Sequence, residues 1–396
     1  MALFKRSLRL NLALQGGGAH GAFTWGVLDR LLEDDTIAIG WVSATSAGAV
    51  NAVALAAGLA EGGRPAAKAK LREVWTAVVE AGVNDLMRLN PFLYSLTRSA
   101  MSHMTTLMSP YEFNPMGFDP LRRLLERTID FAAIRDRSPV ELLIAATEVA
   151  TGKPRLFRRQ ELHVEQVLAS ACLPTLHRAV TIGDTAYWDG GYSANPDIVT
   201  LAAESPACDT LLVMLNPVYT PELPTGAREI QGHINRLTFN APLRRDVELI
   251  AAMRSEGRRH WSPLAARNRF LKHRFHVIEA GRFTAGLKPD SKMKPDAGLI
   301  TYLHGAGRTE AHKWLERHRA DIGRRETADL AARLLRSGAA HRKAQSAADS
   351  ALTGIAAAPS AVTPGPGGAN AAAPASANPS SAAATQVAAH PPTRRA

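Results

Sequence analysis

The feature that most restricts the fold of this chain is a run of glycines at positions 16–18, which ends an alternating apolar segment. Leucine occupies every second position from 8 to 14, a pattern that predicts a β-strand. After the glycines, apolar residues recur at helical spacing as far as Glu33. A strand that turns through glycines into a helix presents unpaired backbone N–H groups and the positive end of the helix dipole. Such a turn favours binding of an anion or stabilisation of an oxyanion.

The same strand, turn and helix pattern follows again. A second strand is predicted over 37–44, and an alanine-rich helix begins at Ala47. Consecutive units of this kind pair their strands in parallel. Further strands are predicted over 142–146, 210–215 and 275–279, and further helices over 66–79, 120–127, 163–172, 246–254, 310–317 and 330–335. The chain is therefore predicted to form a three-layer α/β/α domain with a mainly parallel central sheet.

One internal segment has a different character. Residues 84–118 are rich in methionine and aromatic side chains, which predicts an apolar insertion over the sheet. Met101, Met104 and Met108 would form one stripe on a helix. Flexible thioether side chains in that arrangement could line a channel for an acyl chain, or they could belong to ordinary core.

The C-terminal segment is not predicted to contribute to a hydrophobic core. Residues 357–396 hold 15 Ala and 7 Pro but no Asp, Glu, Leu, Ile, Phe or Met. A segment of this composition cannot bury enough apolar surface to repay its loss of conformational entropy. We therefore expect one domain over 1–336 and a disordered, low-complexity Ala/Pro/Ser-rich tail over 337–396.

The number of cysteines and the lengths of the apolar runs indicate the cellular compartment. The two cysteines are too few for a disulfide framework and favour a reducing environment. Arg9 and Asn11 interrupt the first apolar stretch, which is not typical of a signal peptide. The longest run of small apolar residues, 47–60, is shorter than the ~18 residues of a membrane-spanning helix. We expect a cytoplasmic protein, with peripheral contact at the inner membrane surface as an open alternative.

The glycine turn also satisfies a nucleotide-binding pattern. Gly16, Gly18 and Gly21 fit G-x-G-x-x-G, with Gly17, Ala19 and His20 between them. A dinucleotide site further requires Asp or Glu at the end of the next strand, about 20 residues on, to bind the ribose hydroxyls. Residues 41–44 read Trp-Val-Ser-Ala there. No nucleotide or other cofactor is therefore expected, although an ordinary glycine turn remains an alternative.

The next strand-to-helix junction carries a candidate nucleophile. Ser46 stands between two pairs of small or short residues, Ala44 and Thr45 before it and Ala47 and Gly48 after it. A nucleophile elbow requires small neighbours, because bulky side chains would collide with the adjoining strand and helix. Taken alone, this pattern also fits an ordinary turn.

A candidate carboxylate follows downstream, where Asp189 precedes Gly190 and Gly191. By itself this is a common turn sequence. A glycine loop, a serine elbow and an Asp-Gly-Gly in this order resemble the patatin-like phospholipases. The resemblance extends over about 8–217 and includes the segments 46–51 and 169–174.

The resemblance implies a fold, an activity and roles for individual residues. It implies a patatin-like lipid acyl hydrolase, with Ser46 as nucleophile, Asp189 as general base and the glycines 16–18 as the oxyanion hole, and with neither metal nor cofactor. Two positions depart from the family pattern. Ala44 stands where the family usually has Gly, and His20 stands where it often has Arg or Lys, so cationic support of the glycine loop is in doubt.

Several alternatives remain open at this point. His20 or His177 could complete a Ser-His-Asp triad. The same chemistry could serve a thioesterase or a polyester-granule esterase, and a catalytically silent, membrane-attached lipid-binding protein is the alternative from another class. Residues 254–274 carry seven Lys and Arg against one Glu, which suits an anionic membrane surface. No nucleic-acid-binding module is recognisable, so nucleic acid is not an expected partner, and the oligomeric state stays open.

Overall fold

The structure, a computed structural model, describes residues 8–83, 108–114, 116–259, 268–287 and 289–336. Within them one sheet contains eight strands in the spatial order β5-β6-β3-β2-β1-β7-β8, with β4 paired to β3. The strands are β1 (Leu8–Leu14), β2 (Ile37–Thr45), β3 (Leu142–Glu148), β4 (Pro154–Arg158), β5 (Val180–Ile182), β6 (Thr185–Asp189), β7 (Asp209–Met214) and β8 (Arg274–Glu279).

The sheet has a parallel part and an antiparallel part. Strands β3, β2, β1, β7 and β8 pair in parallel. Strands β4 and β6 both pair antiparallel with β3, and β5 pairs antiparallel with β6. The predicted mainly parallel sheet is confirmed, while the antiparallel strands were not predicted.

Helices cover both faces of the sheet. They are α1 (Gly21–Leu31), α2 (Ala47–Val83), α3 (Pro110–Phe113), α4 (Pro120–Thr128), α5 (Phe131–Arg137), α6 (Val164–Ser170), α7 (Val199–Glu204), α8 (Ala227–Arg259), α9 (Arg269–Lys272), α10 (Gly281–Thr284), α11 (Ala297–His318) and α12 (Leu330–Leu334). Helix α2 is interrupted at Gly62 and Gly63, and Gly63 has a φ of 70°. Because glycine lacks a Cβ, it adopts this left-handed conformation without steric cost.

Two apolar clusters lie on opposite faces of the sheet. Leu12 and Leu14 of β1 face the first cluster, which includes side chains of α1, α2 and α11. Ala13 faces the second, which includes side chains of α7, α8, α9 and α12. Successive side chains of a strand point to opposite faces, so both faces of β1 are buried. This arrangement confirms the predicted three-layer α/β/α architecture.

Of the two polar residues that alternate with leucine in β1, Arg9 is exposed, whereas Asn11 does not face solvent. Asn11 is fully buried. Its side chain donates to Ala207 O (3.2 Å) and accepts from Trp41 N (3.0 Å) and Ser205 Oγ (2.7 Å). A buried amide is tolerated because these bonds replace the ones lost with water. An alternating pattern that is typical of a half-exposed strand therefore belongs here to a central one.

The long helices extend beyond their predicted bounds. Helix α8 begins 19 residues before the predicted 246–254 segment and contains Pro242, and α11 begins 13 residues before the predicted 310–317 segment. Helix α5 was not predicted. Tertiary packing allows helices to include residues whose local pattern is weak, which explains these differences.

Some predictions lie outside the described residues. The tail over 337–396 and most of the 84–118 insertion, including Met101 and Met104, are among them. The described end of the insertion contains α3 and the exposed side chains of Met108, Tyr111, Met116 and Phe118. None of the described helices is both long enough and apolar enough to cross a bilayer.

Candidate active site

Ser46 occupies a sharp turn between a strand and a helix. Strand β2 ends at Thr45 and α2 begins at Ala47. Ser46 has a φ of 55° and is the sole non-glycine residue with positive φ among the described residues. Residues other than glycine rarely adopt a positive φ. A residue held in that conformation by its surroundings is characteristic of a nucleophile elbow. The backbone N–H of Ser46 donates to Ser170 Oγ (2.9 Å), which fixes the turn from outside.

Small residues allow the elbow to pack closely against its neighbours. A Cβ at Gly48 would lie 2.2 Å from Leu14 O, so no side chain fits at this position. A Cβ at Gly21 would come within 2.8 Å of Ala47 Cβ. Ala44 is fully buried in β2 and Ala19 is buried in the glycine turn. The short side chains predicted around Ser46 are thus required by packing.

The glycine loop lies directly against Ser46. A Cβ at Gly16 would lie 2.8 Å from Ser46 Cβ and 3.0 Å from Thr45 O. The N–H of Gly16 donates to Asn195 Oδ1 (2.8 Å). Among the described residues, no acceptor bonds the N–H groups of Gly17 or Gly18. Of the three glycines predicted as oxyanion donors, Gly16 already has an acceptor, while Gly17 and Gly18 remain available.

Asp189 is held at the end of β6 by backbone contacts. Its N–H donates to Cys172 O (2.7 Å), and its carbonyl accepts from Thr147 Oγ1 (2.8 Å). Its carboxylate Oδ1 accepts from Gly191 N (2.7 Å). A Cβ at Gly190 would lie 2.2 Å from Ala145 O, so the turn after Asp189 packs directly on β3. The antiparallel pairing of β6 with β3 thereby brings Asp189 to the end of the strand next to β2.

The carboxylate of Asp189 is fully buried. Burial raises its pKa from an ordinary 3.8 to about 7, while the Gly191 N–H and the Ser46 hydroxyl favour the charged form. Its Oδ2 atom has no hydrogen bond of ordinary geometry among the described residues. Ser46 and Asp189 are therefore neighbours, with one carboxylate oxygen left unpaired.

Neither candidate histidine bonds to this pair. His20 Nε2 pairs with Ser291 Oγ (2.8 Å), and burial together with Lys292 lowers the pKa of His20 to about 4. Burial also lowers the pKa of His177, opposed by Asp119. His177 lines a separate cavity of about 70 Å³ with Cys172. No hydrogen bond joins either imidazole to Ser46 or Asp189 among the described residues.

Other residues that support the loop were not predicted. Gln15 Oε1 accepts from Leu215 N (2.7 Å) and Asn216 N (2.9 Å), which ties the loop to the end of β7. Asn195 binds the loop at Gly16 and also donates to Phe239 O (2.9 Å). Gln15 and Gly16 are separated from Leu215 and Asn195 by about 180 to 200 residues in the chain, so no local pattern could have indicated these contacts.

The basic segment 254–274 is partly occupied by internal bonds. Arg254 donates to Phe270 O (2.9 Å) and His273 O (2.5 Å). Arg269 donates to Ser205 O, and Arg274 pairs with Asp209 (2.8 Å). These described arginines are bonded within the fold. The described residues contain no group of His, Cys, Asp and Glu that could hold a metal ion.

A family model described as patatin-like phospholipase matches residues 12–202, which confirms the resemblance drawn from the sequence. No curated protein sequence matches the chain.

Among solved structures, VipD from Legionella pneumophila is 13% identical with a TM-score of 0.38, and the match covers 78% of this chain and 67% of VipD. A chain of the ExoU-SpcU complex from the type III secretion system of Pseudomonas aeruginosa is 17% identical with a TM-score of 0.29. That match covers 78% of this chain and 52% of the other. This protein thus spans about half the length of the second chain.

Proposed function

We propose that this chain, a lipid acyl hydrolase, acts through a Ser46–Asp189 dyad and an acyl-enzyme. Its residues 12–202 form a patatin-like phospholipase domain. The observation that carries the proposal is that three features lie next to one another. Ser46 is held at positive φ, the glycine loop lies against it, and the buried Asp189 carboxylate is its neighbour. The substrate class we propose is a phospholipid or lysophospholipid ester.

In the first step, Ser46 Oγ attacks the ester carbonyl carbon. A serine hydroxyl is a weak nucleophile until a base takes its proton, and we assign Asp189 as that base. A carboxylate with a pKa of about 7 is well matched to accept a proton near neutral pH. The proton then passes from Asp189 to the leaving alkoxide, which departs as an alcohol and leaves the acyl group on Ser46.

In the second step, water releases the acyl group. Asp189 takes a proton from the water molecule as its oxygen attacks the acyl carbon. The Ser46–acyl bond breaks, the carboxylic acid departs and Ser46 regains a proton from Asp189. Atoms and charge balance without any group beyond water.

Both steps pass through an oxyanion that requires stabilisation. The N–H groups of Gly17 and Gly18 have no other acceptor among the described residues, and we assign them as its donors. Removing one such donor from a hydrolase costs about 3 kcal/mol. Gly16 has another task, because its missing side chain lets the loop approach Ser46 while Asn195 holds its N–H.

Peripheral contact with an anionic membrane belongs to the proposal. The chain carries a net charge of +11, which favours attraction to anionic lipid. Ile230, Ile234 and Leu237 form an exposed apolar stripe on α8, the helix that also contacts the turn after Asp189. Exposed apolar side chains on this helix support contact with an acyl layer.

Covalent labelling tests the nucleophile directly. Wild-type protein treated with a fluorophosphonate probe should be labelled at Ser46, and Ser46→Ala should lose both labelling and ester hydrolysis. Ser43→Ala is the matched control, because Ser43 lies three residues away with its buried hydroxyl unbonded among the described residues. The control should retain labelling and turnover. A label found by peptide mapping on any other serine would contradict the assignment.

A further inference from the structure

A positively charged side chain lies beside the glycine loop although it comes from far along the chain. Lys292 belongs to the 3-10 helix Pro289–Met293. Its carbonyl oxygen lies so close to Gly18 that a Cβ there would come within 2.2 Å. Its Nζ donates to Asn216 Oδ1. Lys292 is thus fixed at the edge of the candidate oxyanion site, outside the segment that matches the family.

A second cation faces Lys292 from α8. Arg236 lies one helical turn before Phe239, whose ring packs against Gly191 next to Asp189. Arg236 Nη2 contacts His233 Nδ1 (3.3 Å), while its Nε is buried without an acceptor among the described residues. Burial and Arg236 together lower the pKa of Lys292 to about 8, so the two charges repel. Lys292 thus lies against the glycine loop, and Arg236 belongs to the helix that packs against the Asp189 turn.

No carboxylate among the described residues compensates these charges. Neither Lys292 nor Arg236 forms an ion pair with an acidic side chain in the part of the chain that the structure describes. Two buried or half-buried cations without a counter-charge cost free energy, and such groups normally pair with an anion. An unpaired cationic pair at a site that accepts ligands therefore indicates an anionic ligand.

Asn216 adds an unsatisfied donor to the same place. It is 3% exposed, and its backbone N–H binds Gln15 at the base of the glycine loop. Its Oδ1 accepts from Lys292, so its amide orientation is fixed. The Nδ2 group is then left buried without an acceptor among the described residues. Phosphate oxygens accept from amides, ammonium groups and guanidinium groups alike.

We propose that Lys292, Arg236 and Asn216 bind the phosphate group of a lipid substrate whose ester carbonyl lies at Ser46. The inference rests on the proposed hydrolase function and names its substrate class. The cationic pair would select lipids that carry a phosphate over neutral acylglycerols. It would also restore, from Lys292, the positive charge that His20 does not supply at the glycine loop.

A matched pair of substrates tests the selectivity. We would compare kcat/KM for 1-oleoyl lysophosphatidate and for 1-oleoylglycerol, which differ only in the phosphate. Lys292→Met and Arg236→Met should each lower the ratio of the two values about tenfold or more, mainly through KM for the phosphate-bearing lipid. Arg236→Lys keeps the charge and should retain the ratio within about threefold. Lys313→Met, which removes an exposed lysine on α11, should leave the ratio unchanged.

Two outcomes would overturn the phosphate site. Equal losses on both lipids in the Lys292 and Arg236 variants would show that these residues only support the fold. An unchanged ratio in both variants would show that the headgroup binds elsewhere. If inorganic phosphate slowed turnover of 1-oleoylglycerol while the lysophosphatidate ratio did not depend on Lys292, a free ion rather than the lipid headgroup would be the ligand, which also contradicts the proposal.

A binding measurement separates failure of this inference from failure of the hydrolase proposal. Titration of sn-glycerol 3-phosphate into Ser46→Ala protein should show binding that Lys292→Met removes, whatever the catalytic activity. Binding without any ester turnover in wild type would refute the proposed hydrolase alone. Ester turnover without such binding would refute the phosphate site alone.

Discussion

Gly16 and Ser46 are in direct contact, because a Cβ at Gly16 would come within 2.8 Å of Ser46 Cβ. The contact joins the end of β1 to the end of β2 through two residues that a local pattern places in separate motifs. The distance between nucleophile and glycine loop is therefore set by backbone packing and does not depend on flexible side chains. A small change in the size of residue 16 should therefore displace Ser46, the proposed nucleophile.

Gly16→Ala tests this contact. The added methyl group must displace either the elbow or the loop, so we expect kcat to fall about a hundredfold with a smaller change in KM. The measurement is steady-state hydrolysis of a short-chain nitrophenyl ester, with circular dichroism to verify folding. Gly183→Ala is not a suitable comparison because of its positive φ, but Gly281→Ala meets open space and serves as the control. Wild-type turnover in Gly16→Ala would show that the loop is not part of the site.

The dyad predicts a ranking among four variants. Asp189→Asn removes the negative charge and most of the basicity, so turnover should fall about as far as for Ser46→Ala, on the order of 10⁴-fold or more. His20→Ala and His177→Ala should be mild by comparison. If either histidine variant lost as much turnover as Ser46→Ala while remaining folded, a triad would replace the dyad.

The pH profile of turnover should have an acid limb near pH 7. The active form requires ionised Asp189, and burial raises the pKa of this group to about 7. Turnover in wild type should therefore rise as pH increases through about 7 and level off above it. Burial lowers the pKa of both candidate histidines below the ordinary 6.5, so an acid limb set by either of them would lie below that of Asp189. A limb near pH 4 would contradict an acid limb set by buried Asp189, and the ranking of variants would then separate a histidine base from a carboxylate of ordinary pKa.

The free energy of unfolding should fall as pH rises, whereas turnover should rise. Between pH 3.8 and about 7 the folded protein keeps a proton on Asp189 that the unfolded chain releases. The contribution of this group to stability is therefore lost as pH rises through that window and stays low above it. Asp189→Asn lacks this dependence, so its Tm relative to wild type should be higher at about pH 8 than at about pH 5. A difference independent of pH would contradict the assigned shift.

The crossing of α1 and α11 offers a matched stability test. A Cβ at Gly307 would lie 2.0 Å from Phe23 O, whereas one at Gly305 on the same helix meets nothing within 4 Å. Gly307→Ala should destabilise the protein by about 2 kcal/mol or more through overpacking. Gly305→Ala should stabilise it slightly, by up to about 1 kcal/mol, because alanine is the better helix former. Thermal or urea unfolding measures both, and equal effects would show that the helices do not pack this closely.

Removal of residues 357–396 should have no effect on the domain. The segment holds no Leu, Ile, Phe or Met, so it offers little apolar surface to bury. We expect unchanged Tm and unchanged specific activity in the shortened protein. A clear fall in Tm would show that the segment docks on the domain.

The parallel core was predictable because each of its strands carries its own signal. Alternating leucines predict strand β1, and the glycines at 16–18 predict the turn after it. Ser46 follows at the next strand-to-helix junction. The antiparallel strands β5 and β6 are short and were not predicted. The prediction of Asp189 rests on its glycine neighbours and the family resemblance, since the strand that carries it has no clear pattern of its own.

The residues that complete the site were not predictable for a different reason. Asn195 holds Gly16 across 179 positions, and Lys292 contacts Gly18 from a segment beyond the family match. Contacts of this separation follow from topology, and a single sequence offers no periodicity that would indicate them. The extent of α8 was missed because Pro242 normally argues against a continuous helix.

The position of β7 between β1 and β8 sets the smallest gene fragment that could encode a working enzyme. The family match ends at residue 202, seven positions before β7 begins. A fragment cut there would leave β1, the strand that leads into the glycine loop, with a bare hydrogen-bonding edge. Exposed strand edges recruit other chains, so such a fragment should aggregate during expression. Transplanting this catalytic unit into another protein therefore requires the sequence at least through β7 and β8.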